Sequence, residues 1–215
     1  MRFFRNHWYD VALALAVVTL LWQAFARYDG LRLILLLNLV AMLLHEVEEY
    51  RLPGGAPWLI NLTLGSRTDL DRTPLNQVNG AFNNVAFWAF YLIPVIWPDV
   101  IWLGLAPVLV GLGQFLAHGI LCNIRIRSVY NPGLATVIIG FIPLGIWYLI
   151  EAGPRIQGLD WVLAIVEAAV FMLVIGFGFI VLGKPFRNRP FTPEEMARFD
   201  GLRRLKRLGL SYSPR

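Results

Sequence analysis

Six stretches of this chain stay apolar for close to the length that a helix needs to cross a bilayer: residues 9–26, 31–50, 81–97, 101–122, 134–150 and 161–183. About 20 residues rising 1.5 Å each cover a hydrocarbon core of roughly 30 Å. Lipid offers the backbone no hydrogen-bond partners, so each segment must satisfy its own N–H and C=O groups, and a helix does so internally. The fold class that follows is all-α, a polytopic transmembrane bundle of about six spans. Composition agrees, because only 15% of residues are charged against about a quarter in soluble domains. Trp8, Tyr9, Tyr28, Trp97, Trp102, Tyr130, Trp147 and Trp161 fall near the expected ends, where amphipathic rings collect at the interface.

Lys and Arg set the orientation. With a cytoplasmic N-terminus, only Arg27, Arg32 and Arg155 of the 19 Lys and Arg face outward, which favours both termini inside. This places the chain in the cell (cytoplasmic/inner) membrane as a multi-pass protein among membrane lipids. A competing reading takes residues 1–26 as a signal peptide, with Arg2, Arg5 and an "AFA" cleavage site at 24–26. A retained helix is expected instead, because the apolar stretch continues through Trp22 and Phe25 to near-spanning length.

Two regions follow, a transmembrane domain over 1–183 and a basic cytoplasmic tail over 184–215. The tail concentrates positive charge beside a membrane domain, which argues against nucleic acid as the partner. Thr192, Pro193 and Glu195 form a capping signal for a short helix. Met196, Phe199, Leu202, Leu205 and Leu208 then recur at helical spacing, which predicts an amphipathic helix on the anionic inner leaflet. A frayed tail that only sets topology is the alternative. The segment "WLINLTL" at 58–64 is too short to cross and is expected to lie in the interface or re-enter.

The second span ends in "LLHEVEEY". His45 lies about 21 Å along it, and Glu48 and Glu49 stand roughly 60° and 40° to either side, so the three share a face. Asn38 is on the same stripe, whereas Glu46 points away and is expected to be solvated. On the fourth span Gln114, His118 and Cys122 share a face. The third span brings Asn76, Asn79 and Asn83, and the fifth brings Tyr130, Asn131 and Thr136 around "YNPG". The charge-derived topology puts all of these at one depth near the cytoplasmic face. Polar stripes on membrane helices face a bundle interior or a wet cavity. Glu167 stands alone in the outer half of the sixth span, with Gln23 as a conceivable partner.

His45, Glu48 and Glu49 in H-x-x-E-E spacing, a later His118 and "YNPG" at 130–133 resemble the HXXEE family of bacterial membrane proteins over about 31–150. The resemblance implies an integral membrane protein, an enzyme in one view, without an established reaction. From the residues themselves, His45, His118, Glu48 and Glu49 suit a divalent transition metal such as zinc or iron. Two histidines and a glutamate around zinc would lower the pKa of a bound water to about 7, with the other glutamate as general base. Without a metal, Glu48 and Glu49 would share one proton as an acid–base pair. Both schemes describe a hydrolase or isomerase working on a lipid or other hydrophobic substrate at the cytoplasmic leaflet. An ion- or proton-coupled transporter, a non-catalytic scaffold, and a solvated helix end salt-bridged to Arg51 remain as alternatives.

Overall fold

The computed structural model describes residues 2–63, 77–181 and 191–212. Asn76 and the basic run at 184–190 lie outside the described residues, and so do the side chains of Asn79 and Asn83. Among the described residues all secondary structure is helical. In chain order the helices are α1 (Arg2–Ala26), α2 (Gly30–Tyr50), the short α3 (Ala56–Thr63), α4 (Gln77–Ile96), α5 (Ile101–Ile126), α6 (Leu134–Arg155), α7 (Gly158–Val181), α8 (Pro193–Ala197) and α9 (Gly201–Arg207). Five of them, α1, α2, α5, α6 and α7, are long and apolar enough to cross a membrane.

The bundle is built around α2. Of its central window, 72% is buried, against 11% for α7. It packs along α1, α4 and α6, while α5 lies between α6 and α7. The outer helices turn large apolar side chains outward, among them Leu21, Trp22 and Phe25 on α1, Leu116 and Ile124 on α5, and Leu173 and Phe177 on α7. An apolar shell of that extent suits lipid rather than water. Close approach between helices relies on small residues, as is usual where lipid removes the hydrophobic drive for association. Gly104 lies under Tyr148, whose hydroxyl donates to Ile101 O at 2.9 Å, and Gly111 lies under Phe141. On α1, Trp8, Ala12 and Ala16 make a buried stripe one turn apart.

Two segments depart from α-helical winding. Phe115–Cys122 within α5 and Val137–Phe141 within α6 are π-helical. Such widened turns are uncommon and gather at functional sites. Below, the end of the bundle carrying Tyr50, Ile126 and Leu134 is called the inner end, after the Lys and Arg count.

Beneath the inner end, α3 neither crosses nor hangs free. Trp58, Leu59 and Leu62 are buried with Cys122 and Ile126 of α5 and with Phe191, Met196 and Leu205 of the C-terminal segment. Thr192 and Glu195 form the reciprocal capping box that starts α8. The apolar stripe of the tail therefore packs mainly on protein: Met196 and Leu205 are buried, and Leu202 is exposed. Arg198 donates to Tyr50 O and lies over the Tyr9 ring, Trp58 Nε1 donates to Arg198 O, and Phe199 meets the Tyr130 ring edge-on. Truncating Leu205 to Ala would weaken this docking by about 2 kcal/mol or more. Limited trypsinolysis should then cleave at Arg203, Arg204 and Arg207 about tenfold or more faster than in the parent, and an unchanged rate would contradict the docked arrangement.

Candidate functional site

The inner halves of α2, α5 and α6 converge on three buried groups, His45, Glu49 and His118. One ligand-capable atom from each lies within 4.8 Å of the others. Glu49 Oε1 is 3.3 Å from His118 Nε2 and 3.8 Å from His45 Nε2. The two imidazoles meet edge to face with centroids 5.0 Å apart, and Phe141 backs His45. Periodicity alone joins His45 and Glu49, one turn apart on α2. The π-helical turn carries His118 inward to meet them, with Gln114 and Cys122 beside it on the same cavity wall.

The hydrogen bonds fix which nitrogen of each ring carries a proton. Asn131 Nδ2 donates to His118 O at 2.6 Å and to Asn123 Oδ1 at 2.8 Å. That orientation leaves Asn131 Oδ1 facing His118 Nδ1 at 2.8 Å, so Nδ1–H donates and Nε2 is turned to Glu49 Oε1. Thr136 Oγ1 has one proton and two acceptors, Glu48 Oε2 at 2.6 Å and Gly133 O at 3.0 Å. Its lone pair therefore receives His45 Nδ1–H at 2.8 Å, and His45 Nε2 is a bare lone pair. When both rings are neutral, their Nε2 lone pairs face the buried Glu49 carboxylate, and either a cation among the three or a proton between Glu49 and His118 relieves the repulsion.

A metal fits this arrangement. Ligand atoms about 2.1 Å from a tetrahedral ion lie about 3.4 Å apart, close to the two contacts at Glu49, and all three ligand atoms lie within 4.8 Å of one another, so the cluster could hold an ion. Each histidine is braced through its second nitrogen, as ligating histidines usually are.

Glu48 is placed differently from its neighbour. Its carboxylate accepts from Tyr130 OH at 2.9 Å, Ala135 N at 3.0 Å, Thr136 N at 2.8 Å and Thr136 Oγ1. It thereby caps the first turn of α6, where unpaired N–H groups and the helix dipole favour an anion. Burial and the adjoining carboxylate hold the Tyr130 phenol above its ordinary range, so it stays a donor. Glu48 does not join the three-residue cluster; it braces His45 through Thr136.

Four further expectations meet the structure here. Glu46 is not solvated: it is fully buried and accepts from Trp88 Nε1, because α1 and α4 cover the face of α2 on which it lies. Arg51 turns away from the glutamates and pairs with Asp10 of α1 at 3.1 Å, so the helix end is not a solvated ion-pair cluster. Asn38 is buried on the expected stripe, and its Nδ2 has no hydrogen-bond partner among the described residues. Gln23 donates to Tyr28 O, and Glu167 Oε2 has no hydrogen-bond partner among the described residues.

Sequence reasoning quoted Gly133 but missed why it matters. Its φ of +105° is left-handed, and a Cβ there would lie 2.5 Å from His118 Cε1 and 2.8 Å from His45 Cε1. The two rings close on a glycine that no other residue replaces without moving them.

Beside the cluster lies a cavity of about 230 Å³. Its lining joins His45, Glu49 and His118 to the apolar Met42, Phe87, Met172 and Ile175 and to the polar Asn84 and Gln114.

Fold and site together define an all-helical chain with membrane-spanning helices and a buried His–Glu–His cluster at one end of the bundle. The chain belongs to the family described as "Protein of unknown function with HXXEE motif", whose model matches residues 36–148. Those residues hold the whole cluster and every group that braces it. No curated protein and no solved structure matches the chain.

Thr136→Val should lower the affinity for zinc or iron by about 10–100-fold, and Thr136→Ser should restore it. Gly133→Ala should lose the metal more completely. Metal titration of the purified variants checks both, and parent-like affinity in Thr136→Val and Gly133→Ala would contradict the bracing scheme.

Proposed function

We propose that this protein is a membrane-embedded, metal-dependent enzyme of hydrolase or isomerase type that acts on a lipid or other hydrophobic substrate at the inner leaflet. The observation that carries the reading is the pair of imidazole Nε2 atoms gathered on one buried carboxylate, with each ring braced through its Nδ1. In this reading the chain crosses the inner membrane six times, α4 being the sixth span, with both termini in the cytoplasm. Residues 1–183 form the membrane domain and 184–215 the tail, whose exposed basic side chains face the anionic leaflet.

His45, His118 and Glu49 would hold the ion, and three protein ligands leave a position open, as in catalytic rather than structural sites. A divalent ion there supplies Lewis acidity and brings the pKa of a coordinated water toward neutrality. The remaining work belongs to the chain. Asn131 and the Thr136–Glu48 pair hold both rings in the ligating tautomer, and the apolar cavity wall excludes bulk water. Tyr130 and the amides of residues 135 and 136 occupy Glu48, which makes it a brace rather than a free base. The cluster's place at one end of the bundle, away from the midplane, favours this reading over a carrier.

Elemental analysis of the purified full chain tests the proposal. Near-stoichiometric zinc or iron is expected in the parent, with about tenfold or greater loss of affinity in His45→Ala, His118→Ala and Glu49→Ala. Glu48→Gln should retain more metal than any of the three. Parent protein that binds neither ion when loaded would overturn the proposal and leave a proton shared by Glu49 and His118 as the reading.

A further inference from the structure

We infer that the cavity beside the cluster is entered sideways from the bilayer, between α5 and α7, by one acyl chain of an amphiphile whose polar end reaches Glu49 and the histidines. The inference deepens the proposed function and rests on it for the chemistry, but its geometric basis is separate.

The outer half of α5 packs closely along α7, whereas its π-helical inner half makes far less contact with it. The gap opens at the cavity. Leu121 of α5 and Met172 of α7 line the cavity and are also exposed on the outer surface, 58% and 47% respectively. They continue the apolar faces formed by Leu116 and Ile124 on α5 and by Leu173 and Phe177 on α7. A mouth framed by lipid-facing side chains of two membrane helices admits what is dissolved in the membrane.

Part of the inner end is closed by packing. Trp58, Arg198, Phe199 and Tyr130 interlock beneath the site, with Gly55 and Gly201 pressed against the Trp58 ring.

Size and polarity select the ligand. At about 230 Å³ the cavity is smaller than the ~300–1,000 Å³ of pockets that enclose a drug-sized ligand whole. It therefore takes one chain, and the rest of the molecule stays in the bilayer. Met42, Phe87 and Met172 give that chain an adaptable apolar wall. Asn84 is buried on the wall beside the cluster.

The test uses the full chain in vesicles containing phosphatidylglycerol with a diazirine in one acyl chain. After photolysis, adducts are mapped by mass spectrometry. Adducts are expected on the buried Met42 and Phe87 as well as on the exposed Leu121, Met172 and Leu173. Ala117→Trp, which fills the cavity, and Met172→Trp, which narrows its mouth, should each reduce the Met42 and Phe87 adducts tenfold or more while leaving Leu173 labelled. Labelling confined to the exposed residues, or interior adducts unchanged in both variants, would overturn the inference. Metal content is measured on the same samples. Interior adducts without metal would overturn only the metal reading, and metal without interior adducts only the lateral entry.

Discussion

The Glu48 carboxylate holds the site together. It accepts four hydrogen bonds, three of them from the first turn of α6 and one from Tyr130 in the preceding loop. Hydrogen bonds to a charged acceptor are worth about 1.5–3 kcal/mol each, and here they tie the central helix to its neighbour at the depth of the cluster. The same contacts position Thr136 to orient His45 and hold the loop whose Asn131 orients His118. Gly133 lies at the centre of that loop with both rings against it. Removing the carboxylate would leave buried N–H groups unpaired and release both imidazoles together. Two adjacent glutamates thus serve different ends: Glu48 builds the site and Glu49 faces it.

Much of this was legible in the sequence, for physical reasons that can be named. A chain in lipid has few structural options, so apolar length alone gave an all-helical bundle. Helical periodicity placed His45 and Glu49 on one face of α2. The Lys and Arg asymmetry put His118 and "YNPG" at the same depth, which was enough to expect them together.

What was not legible depends on tertiary partners. Glu48 looked equivalent to Glu49 because the donors that claim it lie 82 to 88 residues away. Glu46 looked solvated because nothing local shows that α1 and α4 cover its face, or that Trp88 would meet it. The π-helical turns leave no mark on composition or on the spacing of apolar residues, yet one of them carries His118 and makes less contact with α7 than the rest of α5 does. In the tail, left-handed turns at Phe199 and Asp200 divide the expected single helix, and helical spacing cannot tell a lipid surface from a protein one for the apolar stripe of Met196 and Leu205. Trp58 and Leu59 took it.

The central claim is that two Nε2 lone pairs and one carboxylate surround a cation. X-ray absorption spectroscopy on the full chain loaded with zinc or iron addresses it most directly. The account predicts two imidazole nitrogens and at least one carboxylate oxygen at about 2.0–2.2 Å, with the imidazole signature reduced by half in His118→Ala. A spectrum without imidazole scattering, or one unaltered by that substitution, would contradict it.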